Sequence, residues 1–295
     1  MGARLRLLRR RIRGVQSTKK ITSAMELIAA SQIRRAQQRV EQARSYAEQI
    51  TQAVSDVTSN ADTLDHPLLE RREDRSAAAV LVITSDRGLA GAYNANVLRT
   101  TEELVQTLRG EGKESKIYVT GKKGQSYFRF RQRQVEKVWT GFSERPSYDD
   151  AKEIADTLIE AFVEGEVDEI HGVYTDYISG LTQRATAKRF VPLVVEEVEE
   201  ESEGPQPLYL FEPSAEEILE RLVPRYVETR VFAALLESAA SEHAARRRAM
   251  SAATENAEDI IKTLTREANQ VRQTEITTEI MEIVGAAEAL EKVGS

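Results

Sequence analysis

MSAATENAEDIIKTLTREANQV, residues 250–271, sets Met250, Ala253, Ala257, Ile260, Leu264, Ala268 and Val271 at steps of three and four. That spacing lines them up along one face of an α-helix as a narrow, continuous seam. Little on either side would break the helix. There is no glycine between Gly204 and Gly285, and after Pro213 the sole proline is Pro224. Beyond Val271 the phase slips by one residue, and Ile276, Ile280, Ile283, Ala287 and Leu290 carry the stripe onward, a slip that should rotate the seam. A helix is therefore predicted over 214–290. At roughly 1.5 Å per residue its uninterrupted part approaches ~100 Å, wider than a globular domain of this size, so it is expected to protrude.

A protruding seam needs a partner, and the other end of the chain offers one. Between Gly14 and Pro67 there is neither glycine nor proline. Leu5, Leu8, Ile12 and Val15 begin an apolar stripe that Ala24, Met25, Ile28 and Val40 continue loosely. Neither helix could bury its stripe alone. The economical solution is an antiparallel coiled coil of residues 1–60 with 214–290, the middle of the chain forming a separate body. The alternative is that each helix joins a compact bundle.

Composition bounds the function. The chain has 295 residues, 41% of them apolar, enough for a real core, and no cysteine, which rules out disulfides and thiolate metal sites. No apolar run approaches a membrane span, so any membrane association is expected through a partner. The net charge of −7 is uneven: +10 over residues 1–44, −5 over 214–295, and −12 between them. The basic start, MGARLRLLRRRIRG, has the composition of a transit peptide or a nucleic-acid arm. Its apolar residues are already in phase with the helix that follows, so it reads as the beginning of that helix. It also lacks interleaved aromatics, and no nucleic-acid partner is expected.

Residues 76–195 have a different period. Ala77 to Thr84 is a short, nearly all-apolar run, the mark of a strand covered on both faces. A helix from about Asn94 to Leu108, a strand Lys116–Thr120, a short helix Gly124–Phe130 and a strand Val135–Trp139 follow. Tyr148 to Val163 reads as an amphipathic helix. Ile170–Ile178 and Thr182–Leu193 read as an antiparallel hairpin at the sheet edge. The fold class is α/β: an open, mostly parallel, Rossmann-like domain carried by the long coiled coil. Leu68–Arg75 and residues 196–213, with the acidic run Glu196–Glu203, read as connections.

Such a sheet invites a nucleotide, bound at a glycine-rich turn after the first strand. The motif is incomplete. Gly88 and Gly91 lack an earlier glycine, and Gly121-Lys122-Lys123-Gly124 has its lysines before the second glycine, the reverse of a P-loop. A local Asp86–Arg87 ion pair fixing the turn is the simpler reading. His66, His171 and His243 are not at metal-ligand spacing. No catalytic, cofactor or metal residues are nominated.

Three stretches carry a resemblance to a known family. STKKITSAMELIAAS (17–31) with QIRRAQ (32–37), TSDRGLAG (84–91), and ASEHAAR (240–246) with RQTEITTEIMEIVG (272–285) resemble, in this order, the gamma subunit of F-type ATP synthases. The resemblance implies a non-catalytic rotor shaft. Its terminal helices would turn inside a ring of three alpha and three beta subunits, which hold the nucleotide sites. Its α/β body would lie against the epsilon subunit and the membrane ring of c subunits. It further implies contacts to the beta subunits through Met25, Arg246, Gln273 and Thr277, with Lys19 and Lys20 adding charge. The location implied is peripheral, on the cytoplasmic face of a bacterial plasma membrane. Ser23, where many members have lysine, and Arg247-Arg248 depart from the pattern. A coiled-coil adaptor and a nucleotide-binding α/β enzyme are the competing readings.

Overall fold

The computed structural model describes residues 2–59, 76–192 and 214–293; the segment Leu68–Arg75, His66 and the acidic run 196–203 lie outside them. The order is α1 (Ala3–Ser59), β1 (Ala77–Ile83), α2 (Tyr93–Gly110), β2 (Glu114–Thr120), α3 (Lys122–Phe130), β3 (Lys137–Trp139), α4 (Tyr148–Val163), β4 (Glu169–Tyr177), β5 (Gln183–Val191) and α5 (Ala215–Val293). The chain divides into two compact units, Met1–Ile28 with Arg247–Ser295, and Ala29–Arg246. Helices α1 and α5 each contribute residues to both. Among the described residues no helix is long and apolar enough to cross a membrane.

Along α1 the covered positions follow a seven-residue repeat: Leu5, Leu8, Ile12, Val15, Lys19, Thr22, Glu26, Ala29, Ile33, Ala36, Val40, Ala43, Ala47, Ile50, Val54 and Val57 are each buried or half-buried. This is the 3.5-residue period of a coiled-coil seam. It corrects the expected stripe at two positions, since Ala24 and Ile28 fall off the repeat and are exposed.

In the first unit α1 and α5 run antiparallel. Leu5 and Leu8 pack against Leu264 and Ala268, with Ile12, Val15 and Val271 at the margins. Further along, Lys19 Nζ lies 2.7 Å from Glu258 Oε1, and the Thr22 and Thr254 hydroxyls hydrogen-bond at 2.7 Å. A hydroxyl pair that meets across the seam favours one register over its slipped alternatives. The Gly2 N–H donates to Glu275 Oε2 at 3.2 Å. There α1 runs out. Ile276, Ile280 and Ile283, predicted as part of the seam, are 48%, 55% and 69% exposed, because α1 has no residues left to cover them. Ile260 is exposed too, and Ile261 turns inward instead. The side chain of Leu290 lies outside those described.

The second unit is built on a five-stranded sheet of order β3-β2-β1-β4-β5, parallel except for β5, which pairs antiparallel with β4 at the edge. All seven residues of β1 are buried. Its alternate residues serve two cores. Ala77, Ala79, Leu81 and Ile83 pack with Ile154, Leu158 and Phe162 of α4 and Leu219, Val223, Val227 and Val231 of α5. Ala78, Val80 and Val82 pack with Val97 and Leu108 of α2 and Phe128 of α3. Helix α4 starts where the sequence indicates because Ser147 caps it: Ser147 Oγ accepts from the Asp150 N–H, and Asp150 Oδ2 accepts from the Ser147 N–H at 2.7 Å.

Candidate interaction site on the terminal helices

The turn after β1, where a nucleotide phosphate would sit, is committed to internal bonds. Asp86 accepts from the backbone N–H groups of Lys122 (3.2 Å), Gly141 (2.8 Å) and Ser143 (3.1 Å). Its carboxylate thus lies at the N-terminus of α3, in the position an anionic ligand would take. The expected Asp86–Arg87 pair is not formed, since Asp86 is occupied with amides and Arg87 reaches Glu144 at 3.4 Å. Thr84 Oγ1 donates to the Thr120 carbonyl at 2.7 Å and accepts from the Gly124 N–H at 2.9 Å. A Cβ on Gly121, at φ +91°, would stand 2.2 Å from the Thr84 carbonyl oxygen. The Gly121–Gly124 spacing therefore serves close packing of α3 on β1, with no cradle left for phosphate. At the C-terminal end of β4, the Thr175 N–H donates to Ser238 Oγ and Ser241 Oγ donates to the Thr175 carbonyl, which fastens α5 there.

For Arg246 the family resemblance implies a contact with a partner. Instead the residue is 6% exposed. Its Nη2 donates to Glu242 Oε1 at 2.6 Å and to the Gly88 carbonyl at 3.4 Å, and its Nη1 is 3.2 Å from Glu144 Oε1. The guanidinium joins α5 to the loops that follow β1 and β3. The sequence could not reveal this because Glu242, four residues earlier, looks like any solvated i,i+4 partner. Glu242 is fully buried, and burial, opposed by the Arg246 charge, pushes its carboxyl up to about 7. Burial likewise lowers the His243 imidazole, whose Nε2 lies 3.1 Å from the Glu144 carbonyl. His171 is also a packing histidine, 2.8 Å from Glu169.

A pH dependence follows from Glu242. A carboxyl whose folded pKa is raised favours the fold below its unfolded pKa of about 4.3, and that advantage is lost as pH rises through about 7. Glu242→Gln should therefore shift stability in the variant's favour, relative to the parent, by about 1–3 kcal/mol between pH 5 and pH 8. Urea unfolding at the two pH values measures this; a difference between the proteins that does not change with pH contradicts it.

The remaining residues nominated from the sequence lie in the first unit. Met25 is half-buried and Lys20 exposed. Lys19 is half-exposed in its pair with Glu258, a contact that salt would weaken. Gln273 and Thr277 are exposed one turn apart, the Thr277 hydroxyl donating to the Gln273 carbonyl at 2.9 Å. Glu258 and Gln273 are fifteen residues apart on α5, or about 22 Å along a helix, so the structure gathers two clusters rather than one. Beside Met25, Ile21, Leu27 and Ile28 are 61%, 70% and 61% exposed. Sequence reasoning passed over Ile21 and Leu27; their signal was that they are apolar and off the heptad repeat.

The model of the family described as ATP synthase matches residues 4–290. The ATP synthase gamma chain of Frankia casuarinae is 58% identical, covering 98% of this chain and 99% of that one. The chain belongs to the ATP synthase gamma chain family. A second gamma chain, from Acidothermus cellulolyticus, is 58% identical over the full length of both. Among solved structures, a chain of the Euglena gracilis mitochondrial ATP synthase, in its OSCP/F1/c-ring assembly, covers 98% of this chain with a TM-score of 0.66 at 20% identity. A chain of the Tetrahymena thermophila central stalk and c-ring gives 0.57 over 79%. Those two likenesses show that the fold is shared across a wide divergence of sequence.

Proposed function

We propose that the chain is the central rotor shaft of a bacterial F-type ATP synthase, coupling ion flow through the membrane ring to conformational cycling of the catalytic beta subunits. The observation that carries this is 58% identity to gamma chains over essentially the whole length of both sequences. The seam of the first unit supports it, because two helices wound in one register can carry torque that a single helix would lose to twisting. The chain is itself non-catalytic. Three alpha and three beta subunits would surround the terminal helices, and the epsilon subunit and c-ring would hold the α/β body. The complex is membrane-associated, and the chain would lie peripherally on its cytoplasmic face.

The contacts to the beta subunits are assigned to Met25, Lys19, Lys20, Gln273 and Thr277, and to the exposed apolar residues beside Met25. Arg246 is reassigned from contact to internal anchor. A shaft whose sides differ presents each beta subunit with a different surface at each orientation, and so favours a different conformation of it. Met25, unbranched and polarizable, suits a contact that must re-form at every step. Met25→Lys should leave assembly intact and lower the protons pumped per ATP hydrolysed several-fold. Proton uptake by vesicles against ATPase rate reads this directly; an unchanged ratio would remove Met25 from the interface. Affinity purification of the tagged chain separates the readings: an adaptor would not bring six nucleotide-binding subunits with it. Hydrolysis of ATP by the purified lone chain would revive the enzyme.

A further inference from the structure

In the second unit, α1, α5 and the loop between β3 and α4 line an open pocket of about 410 Å³. Arg35, Arg39 and Arg145 line it, with the Gln32, Gln38 and Gln42 side chains as further polar groups. Its floor is apolar, from Ala36, Leu236 and Ala239. The charge is unbalanced. Among the described residues, Arg35 and Arg145 have no carboxylate partner, and Arg39 spends one N–H on the Pro146 carbonyl. Glu144 is the one acid on the wall, and it is already engaged with Arg246 and Arg87. Burial and the nearby Arg145 charge both act to lower the Arg39 pKa. Two cations held together without a counter-charge, one of them half-buried, are stabilised by an anion that reaches both.

We propose that this pocket binds a small phosphate-bearing anion through Arg35, Arg39 and Arg145. Guanidinium forks match phosphate oxygens bidentately, and the glutamine amides can donate to the remaining oxygens. Three guanidinia call for more than the single charge of a carboxylate. One phosphate group carries about −1.5 to −2 at neutral pH, and a diphosphate more. The volume falls in the range of small-molecule sites. Inorganic diphosphate and the polyphosphate of a nucleotide share this chemistry.

Isothermal titration of the purified full chain with pyrophosphate, and separately with ADP, tests the site. One saturable site is expected, weakened at least about tenfold by Arg145→Gln and more by Arg39→Gln together with it. Arg145 is exposed and Arg39 is not, so the single variant keeps the fold intact. Arg10→Gln, in the basic first turns of α1, should change nothing. Equal or tighter binding of ADP assigns the site to nucleotides, and binding of pyrophosphate alone assigns it to the inorganic anion. Absence of a saturable site, or affinity unchanged in Arg145→Gln, overturns the proposal. So would a site that disappears once alpha and beta subunits are assembled around the chain, because the arginines would then belong to a partner's carboxylates.

Discussion

Leu264→Asp should unwind the first unit and leave the α/β sheet standing. Leu264 is 6% exposed and packs on Leu5, Leu8 and Ala268. Truncating such a leucine to alanine costs about 2–5 kcal/mol, and a carboxylate with no partner in the seam adds to that. The seam has few other large apolar residues to absorb the loss, since Lys19, Thr22 and Glu26 hold its middle. Hydrogen exchange should become fast in the helical segments of the first unit and stay slow in β1, β2 and β4. In the assembled complex, ATP-driven proton pumping should be abolished. Exchange that stays slow throughout would mean that α1 and α5 do not depend on each other there.

The second large effect is expected from Arg246→Ala. Removing the guanidinium leaves Glu242 fully buried beside Glu144 with no cation, and breaking a buried pair in this way costs about 3–5 kcal/mol. Glu242 can escape part of that cost by taking up a proton, so the loss should be larger at pH 8 than at pH 5.5. The double variant with Glu242→Gln should recover at least about 1 kcal/mol relative to the sum of the single changes. Denaturant unfolding of the four proteins gives the cycle. A variant with parental stability but impaired coupling would return Arg246 to the partner interface.

Much of this architecture is legible in the chain itself. The all-apolar run after Ser76 reads as a doubly covered strand and is one, and the amphipathic spacing from Tyr148 to Val163 places α4, though the Ser147 cap that starts it was not read. The turn at Ser179-Gly180 marks the edge hairpin. The seam was legible as a period but less so as a phase. Steps of three and four drift between 3.5 and 3.6 residues per turn, so Ile260 and Ile261 cannot be told apart without the partner. At Ile276 the pattern continues past the point opposite the first turn of α1, and no pattern on one helix records the reach of the other. The candidate contacts divide by the same logic. Gln273, Thr277 and Lys20 are polar residues off the seam, and they are exposed. Arg246 is polar too, but it faces Glu144, a residue about a hundred positions away whose proximity depends on the whole sheet. Asp86 is the opposite case: its neighbour in sequence, Arg87, suggested a local pair, and three distant backbone amides took the carboxylate instead.

The most direct test of a shaft that turns as one body uses the absence of native cysteine. Thr22→Cys with Thr254→Cys replaces two hydroxyls that touch across the seam with thiols able to form a disulfide. In the assembled complex, oxidation should join the two helices and leave ATP-driven proton pumping at its reduced level, because nothing slides between them during rotation. Pumping that stops on oxidation and returns with reductant would show that the helices must move past each other, and the account of torque carried by a single wound pair would be wrong.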